Sequence, residues 1–391
     1  MANSINRRNW IKTSALMAGS VTFFSGAIEK LSAMPMKIKS TLFNDHVTDE
    51  EVILNAPPMA MKARLSANEN PFGPSPAAKK AIQDALDMSY QYPFLKSGEL
   101  TGKIASYEGV TINNIMLESG SSPLLQAAAL HFGKNGAEII TGDPSYADLP
   151  SRAAAMGSVI VKVPLTADYK LDLDAMEAKI GPNTGLMYIC NPNNPTATVV
   201  DTAKLKAFCE RVSKRVPVFI DEAYIDYLPD PQGTTLISGV KVGQNIIVAR
   251  TFSKLYGFAG LRLGYVVAQP ETIKILAKYA PGSMSVSATT FAAACAAYQE
   301  KSFLQEALQK TLASKEYLYS VLKKEGYSYI PSSANFVMFP LNMDGAKFSQ
   351  EMSNRGVSVR FWKFNNKDWC RVSIGKMEEM QVFADAFKQL S

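Results

Sequence analysis

Histidine is nearly absent from this 391-residue chain; His46 and His131 are the only two. A zinc centre built on imidazoles, or a triad with histidine as its base, has almost nothing to draw on. Cysteine is as sparse. Cys190, Cys209, Cys295 and Cys370 stand far apart and form no Cys-x-x-Cys pair, which argues against a metal knuckle or a dithiol centre. They read as four buried thiols, with disulfides left open for an exported chain. No uninterrupted apolar run is long enough to cross a bilayer. Excess charge is scarce too. The net charge is +6, and residues 1–33 supply half of it through Arg7, Arg8, Lys12 and Lys30 against Glu29. The rest is too mild and too interspersed to point to nucleic acid or an anionic membrane as partner. There are no internal repeats and no low-complexity linker.

What is present describes a folded protein: 47% hydrophobic and 19% charged residues. The length favours two domains over one core. Residues 1–33 stand apart. Arg7-Arg8-Asn9-Trp10-Ile11-Lys12 leads into a mildly apolar stretch that ends in small residues around Ala33. That layout fits a signal peptide, and the paired arginines before a bulky apolar pair resemble a twin-arginine export signal. A mitochondrial-type presequence and a plain amphipathic helix are the other readings. On the export reading, a bacterial cell delivers the chain to the periplasm or otherwise outside the cytoplasm. That route carries folded proteins, so a cofactor could travel inside one.

Beyond a polar stretch, short apolar runs alternate with helical patterns. Strands are predicted at 115–117, 138–141, 159–163, 186–190, 218–220, 246–249 and 263–268, and helices at 123–132, 149–156 and 202–213. Such alternation predicts an α/β fold: a mostly parallel sheet covered by helices on both faces. Near Pro281-Gly282 the pattern changes. Long helices at 289–299 and 303–325 precede strands at 335–339, 357–360 and 369–373, a helix at 346–355 and a final helix from Met377. This part reads as a smaller α+β domain. The expected division is a signal at 1–33, an N-terminal arm at 34–70 that joins the small domain, a large domain at 71–281 and a small one at 282–391.

Four segments place unusual polar residues at strand ends, where α/β proteins hold ligands. Glu118-Ser119-Gly120-Ser121-Ser122 precedes a helix, and its small residues let backbone N–H groups approach an anion; an ordinary helix cap at Ser121 or Ser122 is the plainer reading. Asn191-Pro192-Asn193-Asn194-Pro195-Thr196 holds Asn194 between prolines, where its amide can donate to a ring oxygen; a Pro/Asn turn is the alternative. Asp221-Glu222-Ala223-Tyr224 ends a buried strand with a carboxylate that needs a cation, unless Asp221 is simply a cap beside a packed tyrosine. In the segment from Thr251 to Gly264, Lys254 can condense with an aldehyde, while Ser253 and Arg262 suit a phosphate. A solvated lysine is the bland alternative there. No metal site is expected.

In this order, the strings Asn-Pro-Asn-Asn-Pro-Thr, Asp-Glu-Ala-Tyr and Ser-Lys-x-x-Gly-x-Ala-Gly-x-Arg resemble the fold-type-I aminotransferases of classes I and II, which use pyridoxal 5′-phosphate (PLP). Ser66-Ala67-Asn68-Glu69-Asn70-Pro71 and Tyr92-Pro93 are similar to the histidinol-phosphate aminotransferase branch. The resemblance implies a large PLP domain and a homodimer. It implies that Lys254 carries PLP as a Schiff base, that Asp221 pairs with the ring nitrogen, and that Asn194 and Tyr224 hydrogen-bond the ring oxygen. Tyr146 would stack on the ring; Gly120, Ser121, Ser122, Ser253 and Arg262 would hold the phosphate, joined by Tyr92 of a second copy. Arg371, Arg360 and Asn68 would face the substrate. The implied reaction moves an amino group from an amino acid or amino-alcohol phosphate to a 2-oxo acid by a ping-pong mechanism. A lyase or decarboxylase, an amine-oxidising enzyme and a catalytically idle binding protein are the rivals on this fold. The chain departs from the branch at Ser121-Ser122, where an acidic pair is usual, at Asn70, at Ala197 in place of glycine, and at Phe361-Trp362. Phe361, Trp362 and Trp369 read as core packing rather than a substrate cage. These departures leave the substrate open.

Overall fold

The computed structural model describes residues 61–391; the expected export signal and the arm before residue 61 lie outside the described residues. Twelve strands are described: β1 (Ala63–Arg64), β2 (Ile115–Glu118), β3 (Glu138–Asp143), β4 (Val159–Pro164), β5 (Thr184–Cys190), β6 (Val218–Asp221), β7 (Ile246–Thr251), β8 (Gly264–Val267), β9 (Phe336–Pro340), β10 (Val357–Ser358), β11 (Arg360–Phe364) and β12 (Lys367–Ser373). Seven form one sheet in the order β2-β8-β7-β6-β5-β3-β4. Only β8 runs against its neighbours β2 and β7; the other pairings are parallel. The expected α/β class and mostly parallel sheet are what the fold has.

The apolar runs have a simple cause. In β5, Leu186, Tyr188 and Cys190 face one cluster of buried side chains, while Met187 and Ile189 face another. Phe219 in β6 and Ile247 in β7 join the first cluster, while Val218, Ile220, Ile246 and Val248 join the second. A parallel strand covered on both faces must be apolar at every position, because neither side of the pleat meets water.

The C-terminal part packs separately. Leu318, Leu322, Val337, Phe339, Phe348, Cys370, Val372 and Phe383 form its core, and Ala63 and Leu65 from the N-terminal segment belong to the same cluster. That union is made by β1, which pairs in parallel with β10. β11, β12 and β9 form an antiparallel sheet beside it. The single strand expected at 357–360 is two: β10 turns at Val359 and the chain re-enters as β11, because the first piece follows β1 and the second pairs with β12.

The long helix, Lys301–Lys324, was expected, whereas Pro76–Ala85 and Phe94–Glu108 were not. The first of those two carries a local signature, a Ser75 side-chain cap and proline in its first turn. All four cysteines are buried and unbridged, and burial pushes the Cys209 thiol up to about 12. Among the described residues no helix is long and apolar enough to cross a membrane, and no cluster of His, Cys, Asp or Glu is arranged for a metal ion.

Candidate active site

β5, β6 and β7 lie side by side and in register, with Cys190 opposite Asp221 and Asp221 opposite Ala249. Their carboxyl ends therefore bring the Asn191–Thr196 loop, Asp221 and the Lys254 segment to one place. Asp221 is 2% exposed. Its carboxylate accepts the Ala223 N–H at 3.1 Å and the Tyr188 hydroxyl at 3.2 Å. Burial pushes its pKa up to about 6, while those two hydrogen bonds and the nearby Lys254 charge pull it down. Lys254 Nζ lies 5.4 Å from the centre of the Tyr224 ring, and its charge acts on Asp221, so lysine, aspartate and tyrosine stand close together.

Tyr224 is oriented by Asn68 of the N-terminal segment and Asn194 by Arg371 of the C-terminal part. Asn68 Nδ2 donates to the Tyr224 hydroxyl at 3.0 Å, and Ser373 Oγ donates to Asn68 Oδ1 at 2.9 Å. A phenol that accepts from an amide keeps its own proton to donate elsewhere. Burial pushes the Tyr224 phenol well up; the Arg371 charge and the Asn68 bond act against that. Arg371, buried in β12, donates from Nη1 to Asn194 Oδ1 at 2.8 Å and from Nη2 to the Ser66 carbonyl at 2.5 Å. Arginine has only donors, so it fixes the amide with its oxygen outward to the guanidinium and its NH2 directed elsewhere.

A second cluster gathers around Gly120. Arg262 Nη1 donates to Ser253 Oγ at 3.3 Å and to the Ala259 carbonyl at 3.0 Å. Gly120 has φ +91°, and a Cβ there would fall 2.3 Å from Arg262 Nη2. A Cβ on Gly264 would come 2.7 Å from the Ser121 nitrogen, so this corner needs glycine twice. Helix Ser122–Phe132 starts here, and no side chain caps it, so the ordinary-cap reading of Ser121 and Ser122 does not apply. The helix start, the two serines and the arginine together suit a phosphate.

These residues fit PLP. A buried carboxylate would find its cation in a protonated ring nitrogen, an amine stands close enough for its charge to act on that carboxylate, and the next residue back, Ser253, belongs to the glycine-lined anion cradle. Tyr146 stands half-buried in the loop after β3. That loop is tied down by Asn193, which accepts from Ser145 Oγ at 2.7 Å and donates to the Pro144 carbonyl at 3.1 Å. Tyr92 is 74% exposed. Arg360 sits opposite Arg371 across β11 and β12.

Several contributors escaped the sequence reading. Tyr188, Asn193, Ser66 and Ser373 act as supports. Glu222, next to Asp221, forms a buried ion pair at 2.7 Å with Arg250 of β7. Charged residues at the ends of otherwise apolar strands were the signal for that pair. Ala197 takes φ +58°, the region that favours glycine, which accounts for the glycine usual at this position in the proteins it resembles.

The chain matches the family Aminotransferase class I and II over residues 60–387. It is 36% identical to the histidinol-phosphate aminotransferase of Moorella thermoacetica over 329 residues, 84% of this chain and 85% of that one. It is 37% identical to the aromatic amino acid aminotransferase of Nocardia farcinica, over 82% of this chain and 89% of that one. Among solved structures, the histidinol-phosphate aminotransferase of Sinorhizobium meliloti in complex with pyridoxal-5′-phosphate superposes with a TM-score of 0.80 at 26% identity, covering 92% of this chain and all of that one. On the family match and these relatives together, the chain belongs to the class I and II aminotransferases.

Proposed function

We infer that the protein is a PLP-dependent aminotransferase that passes an amino group from an amino acid or amino-alcohol phosphate to a 2-oxo acid. The observation that carries this reading is the buried Asp221 carboxylate within reach of the Lys254 charge, with Lys254 beside Tyr224. When bound, PLP supplies an aldehyde for the amine and a ring that takes up electrons as the bond at the substrate carbon is cleaved. Lys254 holds the cofactor and then moves the proton at that carbon. Asp221 keeps the ring nitrogen protonated. Tyr224 and Asn194 point donors at the ring oxygen, and Tyr146 covers the ring face. Gly120, Ser121, Ser122, Ser253 and Arg262 bind the phosphate. Arg371, Arg360 and Asn68 face the substrate.

The protein works as a homodimer in which a second copy's Tyr92 reaches the phosphate. Supporting this, Leu86, Met88, Tyr90, Tyr92, Phe94 and Leu95 are all exposed along one short segment, the kind of apolar patch that marks an interface. The Arg7-Arg8 signal exports the loaded enzyme, a reading supported by its sequence pattern alone.

The purified protein should be yellow, retain a borohydride-trappable adduct and convert amino donors in the presence of 2-oxoglutarate or pyruvate. Lys254→Ala should abolish both the colour and turnover; full activity in that variant would refute the assignment. Release of CO2 without amino transfer would favour a lyase instead.

A further inference from the structure

β11 sets Arg360 directly opposite Arg371 of β12. Like charges facing each other across a sheet destabilise it, so something at this point must offset the repulsion. Trp362 lies two residues along β11 and on the same side of the sheet as Arg360. Its ring centre is 4.9 Å from the Arg360 guanidinium carbon and 4.7 Å from that of Arg371. A tryptophan ring presents negative charge density to a cation over its face, and here one ring serves both. Arg371 is further restrained by Asn194, by the Ser66 carbonyl and by the Phe336 ring at 5.3 Å. Stacking uses the face of a guanidinium, and anion recognition uses the donors in its plane.

The other aromatics of this hairpin do different things. Trp369 is 3% exposed, stacks on Phe364 at 4.7 Å and meets Tyr169 edge-on at 5.3 Å. Phe361 points to the opposite side, against Gly345, where an added Cβ would lie 2.8 Å from its ring. Both are packing residues, as expected. Trp362 is half-buried like Phe361 and packs against the Ile330, Met338 and Trp369 cluster, as expected, but it also addresses the two cations.

We propose that Trp362 is a positioning residue for substrate: it holds Arg360 and Arg371 as one preoriented pair for the acidic end of the amino donor and of the 2-oxo acid. This rests on the aminotransferase reading, since it takes those arginines as the substrate's anchors. The test compares Trp362→Phe, which keeps a π face, with Trp362→Leu, which keeps apolar bulk without one, both as holoenzymes. Trp362→Leu should raise KM for donor and acceptor about tenfold, between the scale of an exposed and of a desolvated cation–π contact. It should weaken binding of succinate, an unreactive dicarboxylate, by a similar factor in calorimetry, with a smaller change in kcat. Trp362→Phe should stay within about threefold of wild type in all three. The proposal is overturned if wild type does not bind succinate, if Trp362→Leu binds it as wild type does, or if the Phe and Leu variants fail equally. Should wild type turn over no amino donor, the aminotransferase reading falls, while the succinate measurements still decide whether Trp362 orders the anion site.

Discussion

At the scale of single residues, burial decides the chemistry. The Asp221 carboxyl, ordinarily at 3.8, is pushed up to about 6 in the fold without cofactor. A folded state that holds a proton more tightly than the unfolded chain loses stability as pH rises between those two values. In cofactor-free protein, Asp221→Asn should therefore unfold at a higher temperature than wild type at pH 7, and the gap should close by about pH 4, read by thermal scans across that range. With PLP present the order should reverse, and turnover should fall by about two to three orders of magnitude, as expected when a preorganised charge is removed. The Arg250–Glu222 pair obeys the same electrostatics. Both side chains are buried, and Glu222 also accepts from Thr235 Oγ1 and the Leu236 N–H, each at 2.8 Å. Arg250→Ala strands that carboxylate and should cost about 3–5 kcal/mol in urea unfolding, while Arg250→Met with Glu222→Leu should cost less than the single change.

At the scale of elements, the start of helix Ser122–Phe132 matters most. The chain reaches it through Gly120 in a left-handed turn, beneath the Arg262 guanidinium. Gly120→Ala would strain that turn and push the arginine from its place. The fold should persist by circular dichroism, and apoprotein titrated with PLP should show about tenfold weaker binding, or roughly 1.4 kcal/mol. A second element-level device is the break at Val359. It lets β10 hold the N-terminal segment while β11 sets its arginine and tryptophan beside Arg371.

At the scale of the whole molecule, the exposed stretch from Leu86 to Leu95 is the feature one chain leaves unexplained. Leu95 is 91% exposed. If this stretch is the face of the proposed homodimer, Leu95→Glu should shift the species seen by light scattering from dimer to monomer and lower activity with it. Tyr92→Phe should leave that proposed dimer intact and weaken only cofactor retention.

Much of this was legible in the residues. The strands of the large sheet announce themselves as unbroken apolar runs, since both of their faces are covered. The residues at the ends of these strands stand out as polar groups where apolar character stops. What the chain order could not reveal was who meets whom. Asn194 finds Arg371 across 177 positions, and Asn68 finds Ser373 across 305. Neither contact leaves a period or a spacing in the sequence. Nor does the ring shared by Arg360 and Arg371, because a tryptophan in a hairpin reads the same whether it packs into a core or against cations. Local pattern reports which face of an element avoids water. Only the packed chain decides which distant side chain occupies that face, because the pairing depends on how separate elements come together.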